Sequence, residues 1–202
     1  MKQLLCAFLF VCATAGASYA QSTSLDLYEA ARNNDAIAIQ RLLAEGKNID
    51  LPDARGYTPL ILAAYNGNTN ATQLLIENKA DLHAQDKTGS NALMAASFKG
   101  YAEIAKSLLK AGAHVNDTNL AGSTALMYAS LTGRTEVVKM LILAKADILR
   151  KDQRGYDAIK LAEQQGNAEL VTLLKTAAAQ GMPPKRASKK KSAGHKRRAH
   201  RR

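Results

Sequence analysis

Arg55-Gly56-Tyr57-Thr58-Pro59-Leu60-Ile61-Leu62-Ala63-Ala64 sets a glycine suited to a tight turn ahead of an apolar, alanine-rich run of helical character. That glycine belongs to a series. Gly56, Gly89, Gly122 and Gly155 are each 33 residues apart, and a second series, Gly67, Gly100, Gly133 and Gly166, keeps the same step. Apolar positions follow in phase: Leu60, Leu93, Leu126 and Ile159 form one column, and Ala63, Ala96, Ala129 and Ala162 another. A fixed period of this length, kept in several columns at once, marks a stacked repeat architecture.

Within one period, a turn glycine leads into the alanine-rich first helix, the second glycine marks the turn between helices, and a second apolar stripe follows. Val137, Val138, Leu141 and Ile142 show that stripe at helical spacing, as do Ile104, Leu108 and Leu109 one period earlier. The alanine column lets neighbouring helices approach closely, and the leucines fill the space between layers. One such unit cannot close a core alone, so stability requires stacking of about three or more.

The decamer Arg55–Ala64 resembles the ankyrin signature Gly-x-Thr-Pro-Leu-His-x-Ala, and Ala113-His114-Val115-Asn116 resembles its closing Gly-Ala-Asp-Val-Asn. Gly122-Ser123-Thr124-Ala125-Leu126 and Gly155-Tyr156-Asp157-Ala158-Ile159 are further copies. The resemblance spans residues 24–176 and implies an all-α ankyrin-repeat solenoid of helix-turn-helix units with short β-hairpin turns. About five repeats are expected, at 24–52, 53–85, 86–118, 119–151 and 152–176. The first and last copies are incomplete, as caps should be; Asn34 replaces glycine in the first inter-helix turn.

Two departures from the family pattern bear on stability. The family's histidine after leucine, which ties turn to turn, is replaced by Ile61, Met94, Met127 and Lys160. Lys79 and Lys145 stand where the turn after the second helix usually has glycine. If each takes a left-handed conformation, each costs roughly 1 kcal/mol.

The resemblance further implies binding of a protein partner, of unspecified identity, through the hairpin tips and the exposed side of the first helices, on the concave face. The tips are Arg55 and Tyr57, Thr88 and Ser90, Ala121 and Ser123, and Arg154 and Tyr156. Near the end of each first helix runs a column of Tyr65, Phe98 and Leu131, flanked by Asn66, Lys99 and Thr132. Aromatic residues and arginine are suited to anchoring interfaces. The candidate partner contacts are Arg55, Tyr57, Tyr65, Asn66, Phe98, Lys99, Leu131, Arg154 and Tyr156. Single exposed aromatics are also ordinary, and Phe98 or Leu131 can equally cover the end of its own helix, so the column as a whole carries the expectation.

The ends of the 202-residue chain differ from its body. Lys2, an apolar run from Leu4 to about Ala15, and small residues through Ser18 and Ala20 have the three-part layout of a secretory signal at 1–20, cut ahead of Gln21. The run is too short to span a bilayer. Cys6 and Cys12 both lie inside it, so the mature chain would hold together without disulfides. A lipid-bearing Cys12 is the rival reading, against which stands Val11, where a small residue is usual. The expected location is periplasmic or secreted, and some bacterial exported ankyrin proteins resemble this layout.

At the other end, Lys185, Arg186, Lys189, Lys190, Lys191, Lys196, Arg197, Arg198, Arg201 and Arg202 occur with no Asp or Glu after Ala177. These and Lys2 account for the whole net charge of +11, so the body is neutral. The segment 177–202 is expected to be a disordered basic tail, since it lacks apolar surface to offset ordering. Such a tail suits anionic lipid, an envelope polymer or the phosphates of nucleic acid, with the repeats then acting as a spacer. Export points away from DNA. The tail can equally be a solubilising segment with no dedicated partner.

Catalysis is not expected, because no nucleophile–base constellation, phosphate loop or His-Glu-x-x-His pattern occurs. No cofactor, metal or small-molecule substrate is anticipated. Of the four histidines, His83 and His114 fall at different points of the repeat and His195 and His200 in the tail, so spacing implies no cluster. Asp53, Asp86 and Asp152 recur beside the hairpin, where a carboxylate satisfies turn amides.

Overall fold

The computed structural model describes residues 26–181, which form ten α-helices and no strand. They pair in chain order: α1 (Leu27–Arg32) with α2 (Ala36–Ala44), α3 (Pro59–Asn66) with α4 (Thr69–Glu77), and α5 (Ala92–Lys99) with α6 (Ala102–Ala111). Then come α7 (Ala125–Leu131) with α8 (Thr135–Leu143) and α9 (Ala158–Gln164) with α10 (Ala168–Gly181). The signal segment 1–20 and the ten tail cations from Lys185 to Arg202 lie outside the described residues.

Each full first helix starts the same way. Thr58, Asn91, Thr124 and Asp157 accept a backbone N–H from three residues on, at 3.3, 3.1, 3.3 and 2.9 Å, the standard N-cap bond. Pro59 occupies the first helical turn of α3, where its missing N–H costs nothing. Ahead of each cap the hairpin is a tight turn closed by two backbone bonds about one residue: Asp53 N to Tyr57 O, Asp86 N to Ser90 O, Asn119 N to Ser123 O and Asp152 N to Tyr156 O, with the turn glycine N–H of each returning to the carbonyl of that same Asp or Asn, all at 2.9–3.0 Å. Both bonds lie within five residues, so each hairpin is a turn and no strand ladder extends from it.

Packing follows the columns. Ala63, Ala96, Ala129 and Ala162 are wholly buried where first helices meet, and Leu75, Leu108, Leu141 and Leu174 are wholly buried in the second-helix layer. Consecutive first helices, α1 through α9, touch more extensively than consecutive second helices. The tighter layer lies on the inside of the curve, so the concave face belongs to the first helices and the hairpins.

Helix α10 runs through Gly181, five residues past the boundary expected at 176. Ala177 and Ala178 pack against the core, and alanine is the best helix former. The basic tail therefore begins after the helix rather than within it.

Lys79 and Lys145 both adopt φ of 66°, as the missing glycines implied. Ile61, Met94 and Met127 are 3%, 1% and 1% exposed, so the family's hydrogen-bonding column is here an apolar seam. The hairpins themselves are closely stacked. A Cβ on Gly89, whose φ is +79°, would sit 2.6 Å from the backbone nitrogen of Leu120.

Replacing Lys79 or Lys145 by glycine should therefore raise unfolding free energy by about 1 kcal/mol each. Gly89→Ala should lower it by about 2–4 kcal/mol, from left-handed strain plus overpacking against backbone that cannot yield. Urea unfolding followed by circular dichroism measures both.

Candidate functional site

The hairpins are held by one repeated device. Asp53 Oδ1 accepts from Arg55 N and Tyr57 N at 2.8 and 2.9 Å; Asp86 Oδ1 accepts from Thr88 N and Ser90 N at 2.8 and 2.9 Å. Asp152 Oδ1 does the same for Arg154 N and Tyr156 N, both at 2.9 Å. The three carboxylates thus have the structural role their position implied. Asn119 makes the equivalent pair to Ala121 N and Ser123 N at 3.0 and 2.9 Å, so an amide oxygen completes the column.

On two hairpins the clamp also positions a cation. Arg55 lies 5.0 Å from the centre of the Tyr57 ring and 3.8 Å from Asp53; Arg154 lies 5.1 Å from the Tyr156 ring and 3.2 Å from Asp152. Burial pushes the Asp152 carboxyl up, but hydrogen bonds from Tyr156 N–H and from the Arg154 side chain and N–H, with the Arg154 charge, bring it below its ordinary value.

Between these hairpins the concave face carries a groove of about 200 Å³, open to solvent. Its apolar wall and floor are Tyr57, Ile61, Tyr65, Met94, Phe98 and Tyr128, with Asp86, Thr88 and Ser90 along the hairpin side. Tyr65 and Phe98 are 45% and 37% exposed. The Phe98 ring meets Tyr128 edge-on, with centroids 5.9 Å apart, a favoured aromatic geometry. The Tyr128 hydroxyl in turn accepts from Asn119 Nδ2 at 2.8 Å, which fixes the ring to the hairpin clamp.

Of the candidate contacts, the structure brings Tyr57, Tyr65 and Phe98 together in this groove. Lys99 reaches back one repeat to lie 4.5 Å from the centre of the Tyr65 ring. Asn66 Nδ2 donates to Leu62 O of its own helix at 2.7 Å. Leu131 is half-buried one repeat further along, and Arg154 and Tyr156 sit on the last hairpin, outside the groove lining. Thr132 donates to Phe98 O at 3.1 Å and so ties repeats together.

Tyr128, in the groove lining, and Leu120, exposed on a hairpin, were not among the candidates. Tyr128 occupies a column otherwise filled by Leu62, Ala95 and Leu161, so its apolar neighbours disguised it as core. Leu120, 68% exposed on a hairpin, shares its column with Ala54, Lys87 and Gln153. A leucine at an otherwise small or polar position was a legible signal.

The expectation that the histidines form no cluster is corrected. His83 and His114 stack with ring centroids 3.9 Å apart, and both approach Asp117: His83 Nδ1 at 3.2 Å and His114 Nδ1 at 3.6 Å. Same-column comparison misses them because loops touch diagonally, one repeat's residue meeting the next repeat's residue 31 positions on.

A stack of helix pairs with clamped hairpins and a concave aromatic groove defines a repeat-type binding scaffold. The family model for ankyrin repeats in three copies matches residues 27–119, and that for ankyrin repeats in many copies matches 108–162. No curated protein matches the chain. The chain belongs to the ankyrin-repeat family, whose repeats are generally protein–protein interaction modules and typically non-catalytic.

The depressed Asp152 carboxyl has a defined consequence. Its ionised form is favoured by folding, so the stability it contributes is present above the unfolded carboxylate value, near 3.9, and is lost as pH falls through the lower folded value. Asp152→Asn keeps the clamp oxygen, as Asn119 does, and loses the ionisation. Urea midpoints compared at pH 7 and pH 3 should show a smaller acid-induced drop in the variant than in the parent.

Proposed function

We propose that this chain is a non-catalytic binding protein, exported to the periplasm or the medium after loss of residues 1–20, that holds a protein partner in its concave groove. The carrying observation is the exposed pair Tyr65 and Phe98 above a floor of Ile61 and Met94, which are 3% and 1% exposed. Folding has buried the floor and left the aromatic rim in water. A partner's apolar side chain inserted there would remove the rim from solvent, while Thr88 and Ser90 offer hydroxyls beside it. Methionine lets the floor adapt to the inserted group.

A second reading concerns the tail. The body of the chain is neutral, and ten cations fall between Lys185 and Arg202. In this reading those cations fix the protein to an anionic envelope polymer, lipid or nucleic acid, with the repeats as a spacer. The two readings differ in salt dependence, because a phosphate-type contact releases counterions and a desolvated aromatic groove does not.

Affinity capture from envelope extract, with residues 21–202 and with a chain ending at Gly181, at low and high salt, separates them. Under the groove reading both forms retain the same protein in high salt, and Tyr65→Ala with Phe98→Ala weakens capture at least about 30-fold, the size of a hot-spot loss. Capture by the longer form alone, released by salt, transfers the function to the tail. The mass of the mature N-terminus tests the cut ahead of Gln21.

A further inference from the structure

Along the loops of the solenoid, a side chain at one recurring position reaches the backbone of the next repeat in two places. Asp50 Oδ1 accepts from Asp81 N at 2.9 Å, and Asn116 Oδ1 accepts from Asp147 N at 2.8 Å. The residue at this rung in the intervening repeat is His83, and the residue it faces is His114. Here the ring turns instead toward Asp117, with Nδ1 3.2 Å from Oδ2, while His114 Nδ1 lies 3.6 Å from Oδ1 of the same carboxylate. One ligand atom from each of the three residues falls within 4.8 Å of the other two.

We propose that His83, His114 and Asp117 form a binding site for a divalent transition-metal ion of the zinc type, clipping the second and third repeats together. Two ligands bonded to zinc at 2.0–2.2 Å in tetrahedral geometry lie roughly 3.3–3.6 Å apart; the carboxylate oxygens lie 3.2 Å from one imidazole and 3.6 Å from the other, so closing on an ion needs only a small movement of the exposed side chains. Two imidazoles and one carboxylate suit zinc, nickel or copper rather than magnesium or calcium, which take oxygen ligands.

The surroundings are arranged as a metal's outer shell requires. Asp117 accepts from the side-chain amide of Asn91 at 3.3 Å, and Asn91 is 1% exposed and locked in place by capping α5. Gln85 donates to Thr118 O at 3.2 Å and so braces the loop that carries Asp117. An orienting hydrogen bond to the ligand is a regular feature of metal centres. The His114 side chain is 71% exposed, which leaves an entry path and a coordination position for water. Because His83 belongs to one repeat and His114 and Asp117 to the next, an ion here acts across the boundary between two of the repeats that contribute to the groove.

The fold itself supplies the control. His83→Asn installs the type of residue that makes this rung at Asn116, so it preserves or improves packing while removing a ligand. Zinc added to the full chain should bind one-to-one by calorimetry and raise Tm by roughly 5–10 °C at a hundredfold excess over Kd. His83→Asn should weaken binding by more than the about 10–100-fold typical of losing an outer-shell partner, and Asn91→Thr, which keeps a helix cap, by about tenfold. His195→Ala with His200→Ala should leave the one-to-one event intact. No uptake by the parent, undiminished uptake by His83→Asn, or loss of the event with the tail histidines overturns the proposal.

Discussion

A backbone hydrogen bond passes from each hairpin to the one before it: Lys87 N to Arg55 O, Leu120 N to Thr88 O and Gln153 N to Ala121 O. This contact sets the register of the array, because it fixes how far each repeat is displaced from its neighbour. The clamps at Asp53, Asp86, Asn119 and Asp152 make it possible by holding every hairpin in one shape. With the register set, like residues stack in columns along the helices, and residues 31 apart meet along the loops. The groove follows from the first relation and the histidine pair from the second.

Each repeat in such an array touches only its neighbours, so local substitutions act on individual boundaries rather than on one global core. The seam of Ile61, Met94 and Met127 illustrates the trade. Histidine at these positions would tie turn to turn through hydrogen bonds; the apolar residues give that up for burial. Ile61 and Met94 are also the groove floor, so the same change that loosens the ladder makes the concave face greasy. Lys79 and Lys145 add backbone strain in the turns after the second helices, outside the groove lining.

Much of this was legible beforehand, because a repeat states each packing role several times. The alanine and leucine columns, the turn carboxylates and the two left-handed lysines all follow from aligning copies. The part of the site that was legible was the hairpin-tip Tyr57 and the exposed column of Tyr65 and Phe98. Tyr128 was not, since Leu62 and Leu161 at equivalent places read as core, and its hydroxyl found Asn119 only once the hairpin folded over it. Nor was the partial use of Asn66 and Lys99 by the protein itself, which depends on rotamers and not on residue type.

By itself the sequence determined the period, the helix-pair unit and which face of each helix is buried, since these depend on local spacing and on turns that only certain residues can make. Tertiary structure alone decided which side chains from different repeats come within reach. His83 and His114 are separated by 31 residues in a chain whose period is 33. That offset looks like mismatch along the chain, yet it becomes contact once the loops lean from one layer onto the next.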